Sequence, residues 1–118
     1  MTWKHFTPDE FVCKCGCGKN NISPDLVTKL DEARDLYKKS MVIESGSRCP
    51  AHNKAVGGKQ NSAHLSGLAA DIRCRTDRDR YQLKNIFYIL GFKRIGTGKT
   101  FIHVDISTTL PQNVEWLY

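Results

Sequence analysis

The sequence predicts an α+β domain, with a small antiparallel sheet covered by helices on one face. Three observations predict it. "SPDLVTKLDEARDLYKKS" carries apolar residues at helical spacing. "FKRIGTGKTFIHVDIS" reads as two strands joined by a glycine turn. A second helical pattern, "TDRDRYQLKNIFYILG", lies between strand-like runs rather than alternating regularly with them. At 118 residues the chain is long enough for one compact domain, expected over 1–118, and too short for two ordinary ones.

Each element has a local reason. Ser23 stands where an N-cap is expected, and Pro24 suits the first helical position. Leu26, Leu30, Ala33 and Tyr37 then form one helical stripe. "MVIES" is a short apolar run and reads as a strand, "GSRCPAHN" is turn-like, and "AHNKAV" is short enough for a single helical turn or two. "VGGKQNSAHLSG", with three glycines, reads as a loop, and "AADIR" as a strand emerging from it. Thr76 precedes Asp79 by three residues, which resembles a capping box with Asp in place of Glu. Leu83, Phe87 and Leu90 make the apolar stripe of that helix, and Gly91 stops it. The expected order is helix, strand, loop, strand, helix and hairpin.

Composition narrows the class of function. Hydrophobic residues make up 40% and charged residues 25%, as in ordinary soluble domains. No run approaches the roughly 18–20 apolar residues that span a bilayer. "MTWKHFTPDEF" has no apolar stretch of the kind a secretory signal carries, so synthesis in a cytoplasm is expected. The formal net charge of +6 favours an acidic partner such as an anionic wall polymer. The basic residues are dispersed among acids, as in "DIRCRTDRDR", and form no stripe interleaved with aromatics, so nucleic acid is not the expected partner.

The chemistry lies in "SAHLSGLAADI" and "TFIHVDIS". Asp71 sits among Ala and Ile, where a carboxylate is costly to bury without a partner. On the later strand Ile102, Val104 and Ile106 share one face, while Phe101, His103 and Asp105 share the other. His64, Asp71 and His103 together offer the nitrogen and oxygen ligands of a three-residue zinc site with an open fourth position. Singly, each histidine has an ordinary reading as a solvated or hydrogen-bonded side chain. His5 and His52 have no matching pattern and read as surface or packing residues.

These residues also carry a resemblance. "SAHLSGLAADI" is similar to the S-x-H-x-x-G-x-A-x-D pattern of zinc D-Ala-D-Ala carboxypeptidases and related peptidoglycan peptidases, whose fold the hedgehog signalling domain shares. Ser62, His64, Gly67, Ala69 and Asp71 fill that pattern. "SGSRCPAHN" resembles the S-G-x-R-x-P-x-x-N block that precedes the metal motif, and "FIHVDI" resembles the late strand with the last zinc-binding histidine. The resemblance spans roughly residues 6–107. It implies Zn²⁺ at His64, Asp71 and His103, and hydrolysis of peptide bonds in bacterial cell-wall stem peptides; a monomer is expected. A phage-type lysin or a module of a virion enzyme is in keeping with the small basic domain. The same fold also admits a non-catalytic binding domain.

The resemblance assigns Arg48 to a substrate carboxylate or carbonyl, a role that its planar fork suits. Ser62 either contacts substrate near the metal or caps a turn. Many relatives hold an acid three residues before the last histidine, and others a histidine two before it. Thr100 and Phe101 occupy those positions here. Asp105 is the best local candidate for the proton acceptor, and its equal alternative is to orient His103. Cys13, Cys15 and Cys17, with Cys49, could hold a second, structural zinc. Reduced thiols in a turn, or one disulfide from this loop to Cys49, are the other readings, and with five cysteines at least one is left over.

Overall fold

The computed structural model describes residues 2–118; Met1, part of the expected domain, lies outside them. A 3-10 turn at Pro8–Phe11 leads to helix α1 (Pro24–Tyr37), strand β1 (Ile43–Ser45) and the short helix α2 (Pro50–Ala55). A second 3-10 turn at Ala63–Ser66 precedes β2 (Ala69–Arg73), α3 (Asp77–Ile89), β3 (Arg94–Thr97), β4 (Phe101–Asp105) and β5 (Val114–Leu117). The expected α+β class holds.

The five strands form one sheet in the order β1-β2-β4-β3-β5. The first four pair antiparallel, as expected. β5 was not expected from the sequence, and it pairs parallel with β3, so the sheet is mixed at that edge. "VEWL" is short and pairs with a strand some twenty residues away in sequence, so no local turn signal announces it.

One face of the sheet meets α1 and α3. Ile43, Ala70, Ile72, Ile95, Ile102 and Val104 from the strands pack against Leu26, Val27, Leu30, Ala33, Leu83 and Phe87 from the helices. Each large apolar side chain buried there contributes about 1.5–3 kcal/mol relative to exposure. The alternation of β4 does what its sequence pattern requires: Ile102 and Val104 enter this core, and His103 and Asp105 face the other way.

Two caps differ in detail from expectation. Ser23 stands at the N-cap of α1, but its side chain makes no capping hydrogen bond. The Thr76 hydroxyl accepts from the Asp79 backbone N–H, whereas the Asp79 carboxylate pairs first with Lys39 and only secondarily with the Thr76 side chain. A charged partner offers Asp79 more than a neutral N–H. The loop over 56–67 is not wholly irregular, since "AHLS" tightens into the 3-10 turn that carries His64.

Candidate metal centre

Strand register builds the centre. Asp71 on β2 stands directly opposite His103 on β4. Ser45 pairs with Asp71 on one side, Gly96 pairs with His103 on the other, and Trp116 pairs with Gly96. A single row of residues therefore crosses the sheet on the face away from the core. His64 arrives from the 3-10 turn just before β2. Gly67 ends that turn at φ 72°, and a Cβ there would lie 2.0 Å from the Asn21 carbonyl oxygen. Only glycine allows both the left-handed turn and the close approach.

His64, Asp71 and His103 are all buried, and their ligand atoms lie within 4.8 Å of one another. The hydrogen bonds around them orient both imidazole rings and fix the tautomer of His64. His64 Nδ1 is 2.7 Å from the Gly46 carbonyl oxygen, which can only accept, so Nδ1 carries the hydrogen and Nε2 presents its lone pair. That Nε2 is 3.2 Å from Asp71 Oδ1. His103 faces carboxylates at both ring nitrogens, Asp105 Oδ2 at 2.7 Å from Nε2 and the same Asp71 oxygen at 2.9 Å from Nδ1; in the neutral tautomer that donates from Nε2 to Asp105, Nδ1 presents its lone pair to the cluster. With both imidazoles neutral, two lone pairs and a carboxylate oxygen converge on one another. Such a cluster of acceptors requires positive charge among them, supplied by protons or by a cation.

The proton affinities express the same demand. Burial opposes a charged His103, but hydrogen bonds to Asp105 and Asp71 outweigh it and raise its pKa. Burial likewise opposes ionised Asp71, yet its bonds to His103 and His64 hold it well below the usual carboxylate range. Two imidazole nitrogens and one carboxylate oxygen, open on one side to a cleft of about 840 Å³, are the donor set of a catalytic zinc site.

A model of the peptidase M15 family matches residues 4–105. This chain is a member of the peptidase M15 family. No curated protein matches it. M15 peptidases are zinc-dependent metallopeptidases, and the His–Asp–His cluster of this member fits that metal in ligand type and number.

The block "SGSRCPAHN" of this M15 peptidase now has a physical reading. Arg48 is buried, and its Nε donates to Ser45 Oγ at 3.4 Å. Nη1 donates to Asn53 Oδ1 at 3.0 Å, and Nη2 reaches Asp71 Oδ2 at 3.4 Å. Three of the five guanidinium N–H donors are thereby committed, and two remain for the cleft that Arg48 lines. Gly46 supplies the carbonyl that sets His64, and it lies so close to Phe11 that a Cβ would be 2.7 Å from the Phe11 carbonyl oxygen. Pro50 begins α2, which presents Asn53 to Arg48. Ser62 caps the 3-10 turn by accepting from the His64 backbone N–H at 3.3 Å, and its side chain also lines the cleft.

Asp105 lies beside His103 with both oxygens engaged. Oδ2 accepts from His103, while Oδ1 accepts from Arg94 Nε at 2.8 Å and from the Ser107 backbone at 3.1 Å. Sequence reading missed Arg94, a lone arginine with no pattern around it, and it missed the aromatic wall of the cleft. Trp116 lies 5.3 Å from the His103 ring and beneath the Arg94 guanidinium, and Tyr118 packs on Phe101 at 4.9 Å. His5 pairs with Asp35 on the surface and, like His52, stands outside the centre.

Proposed function

We propose that this M15 peptidase hydrolyses peptide bonds in bacterial peptidoglycan stem peptides, as a carboxypeptidase or an endopeptidase. The observation that carries the reading is the cleft itself. It opens onto the His64–Asp71–His103 cluster and is walled by the guanidinium groups of Arg48 and Arg94 and by Phe101, Trp116 and Tyr118. Cationic walls favour peptides with free carboxylates, and flat aromatic walls favour an extended chain lying along them.

Zinc bound by these three residues supplies an activated water and a polarised carbonyl. The remaining work falls to the chain's own groups. Arg48 turns its two uncommitted N–H donors to the substrate carboxylate or scissile carbonyl, and Ser62 contacts the peptide beside it. The hydrogen bonds of Asp105 favour the second of its two candidate roles, that of holding the His103 ring with Nδ1 toward the metal. Burial of Arg48, Asp71 and Asp105 keeps these charges at low dielectric, where they act more strongly than in water.

A second reading is a metal-containing binding domain without catalysis. It is favoured by Thr100 and Phe101 in the positions where relatives carry a proton acceptor, and by an Asp105 whose oxygens are already engaged. Purified zinc-loaded protein incubated with bacterial cell walls and a synthetic stem peptide separates the two. Hydrolysis predicts new amino groups that disappear with a chelator, and loss of both zinc and amine release in Asp71→Ala. Free D-alanine as product marks a carboxypeptidase, and longer fragments mark an endopeptidase. Retention on walls with no new amines, metal present, supports the binding domain and overturns the peptidase.

A further inference from the structure

Four cysteines gather away from the His–Asp–His cluster. Cys13, Cys15 and Cys17 share one tight loop, and Cys49 immediately precedes α2. The loop is closed by the Cys13 N–H donating to the Lys19 carbonyl at 2.8 Å. Gly16 at φ 87° and Gly18 at φ 84° supply the left-handed backbone that lets the loop turn tightly. All four sulfurs lie within 4.8 Å of one another. Cys15 Sγ is 3.5 Å from Cys13 Sγ and 3.6 Å from Cys49 Sγ.

We propose that Cys13, Cys15, Cys17 and Cys49 form a structural site that binds one zinc ion through four thiolates. Zinc–sulfur bonds of about 2.3 Å in a tetrahedron place the sulfurs about 3.8 Å apart, close to the separations found here. Backbone N–H groups are already aimed at three of the sulfurs. Cys49 N donates to Cys13 Sγ at 3.4 Å, His52 N to Cys49 Sγ at 3.3 Å, and Lys19 N to Cys17 Sγ at 3.4 Å. Such donors stabilise thiolates and orient them as outer-shell partners do. Thiolate sulfur selects zinc over the hard cations, and four protein ligands leave no position for water, so the site is structural and not catalytic. Binding transfers the thiol protons to solvent, with no change of oxidation state.

The site ties two distant segments. Cys49 is the neighbour of Arg48, and the cysteine loop follows Phe11, whose carbonyl accepts from Ser47 N at 2.8 Å. Metal at the cysteines therefore fixes the base of the loop that presents Arg48 to Asp71. The proposal does not depend on the peptidase reading, because it concerns other residues and another readout.

The test counts zinc and free thiols in protein purified under reducing conditions, loaded with zinc and freed of excess. The expected stoichiometry is two zinc ions per chain, falling to one in Cys15→Ser/Cys17→Ser, whose altered side chains are exposed. Cysteine-bound zinc also shields the four thiols from alkylation until a chelator is added. With cobalt in place of zinc, a thiolate-to-cobalt charge-transfer band is expected in the wild type and in His64→Ala, and is lost in the cysteine variant. Cys17→Ser alone serves as a second variant that weakens the band if the double substitution unfolds the loop. An unchanged zinc count in the folded double variant, no charge-transfer band, or thiols paired as a disulfide without metal each overturns the proposal.

Discussion

Asp105 is a fully buried carboxylate held from two sides, by His103 on one oxygen and Arg94 on the other. Its two neighbours respond differently to substitution. Asp105→Asn keeps the shape but weakens the pull on the His103 ring. Zinc affinity is expected to fall by roughly 10–100-fold in the protein that remains folded. Isothermal titration with zinc measures it, and unchanged affinity would show that Asp105 does not act through His103. Arg94→Met removes the compensating charge and leaves Asp105 buried without it. The expected cost is roughly 3–5 kcal/mol of stability, read from urea unfolding of the metal-free protein. In the double variant much of that cost should vanish, because neither charge remains to be buried alone.

At the scale of the element, β5 is the part of the cleft whose placement is most open to test. Gly96 on β3 leaves room for it: a Cβ there would lie 2.5 Å from Trp116 Nε1 and 2.7 Å from Tyr118 Cε2. Gly96→Ala is expected to push Trp116 and Tyr118 out of the cleft while sparing the core. A red-shifted tryptophan emission with little change in melting temperature would record this; an unchanged spectrum would argue against the packing. The other face of β5 is tied to α3 through Glu115, which accepts from Tyr88 and from Lys84 at 2.9 Å. The Tyr88 bond, with Lys84, lowers the Glu115 pKa. A lowered carboxylate pKa stabilises the docked strand above the ordinary glutamate range, and that contribution is lost as pH falls through the lowered value. Amide protection factors over 114–117, taken relative to the intrinsic exchange rate at each pH, should therefore fall on acidification, and Glu115→Gln should flatten the response. A pH response that survives the substitution would place its origin elsewhere.

This strand also marks where sequence stops being informative. α1, α3, β2 and the β3–β4 hairpin are legible because their periodicity and turn residues are local. The residues of the metal cluster are legible for the same reason, since each sits in a short pattern of its own. Their convergence is not local, and follows from the register that sets Asp71 opposite His103. Arg94 and Trp116 reach the cleft only through pairings between strands far apart in sequence, and nothing adjacent to them signals it. The committed state of Arg48 is equally invisible: the sequence shows an arginine in a loop, and the fold shows it wedged between Asn53 and Asp71.

Over the whole molecule, charge and shape act together. The chain carries a net +6, and no helix among the described residues is long and apolar enough to cross a membrane. If the substrate is the wall, as proposed, its attraction for this cationic chain is a long-range effect, screened as the Debye length shrinks from about 30 Å at 0.01 M salt to about 3 Å at 1 M. Retention of the Asp71→Ala protein on sedimented cell walls is expected to fall steadily across that range. Retention that ignores salt would mean that recognition rests on cleft contacts alone.

The cross-strand facing of Asp71 and His103 has a kinetic consequence. The gap between them is a property of backbone pairing, whose strand spacing of about 4.8 Å is the same in every sheet. The third member, His64, is pinned by the Gly46 carbonyl before any ion arrives. An incoming cation thus meets a receptacle that is already cut to size and has little to rearrange. Capture should be a single fast phase set by encounter and proton departure, and a mutation that loosens the loop holding His64 should speed escape more than it slows entry.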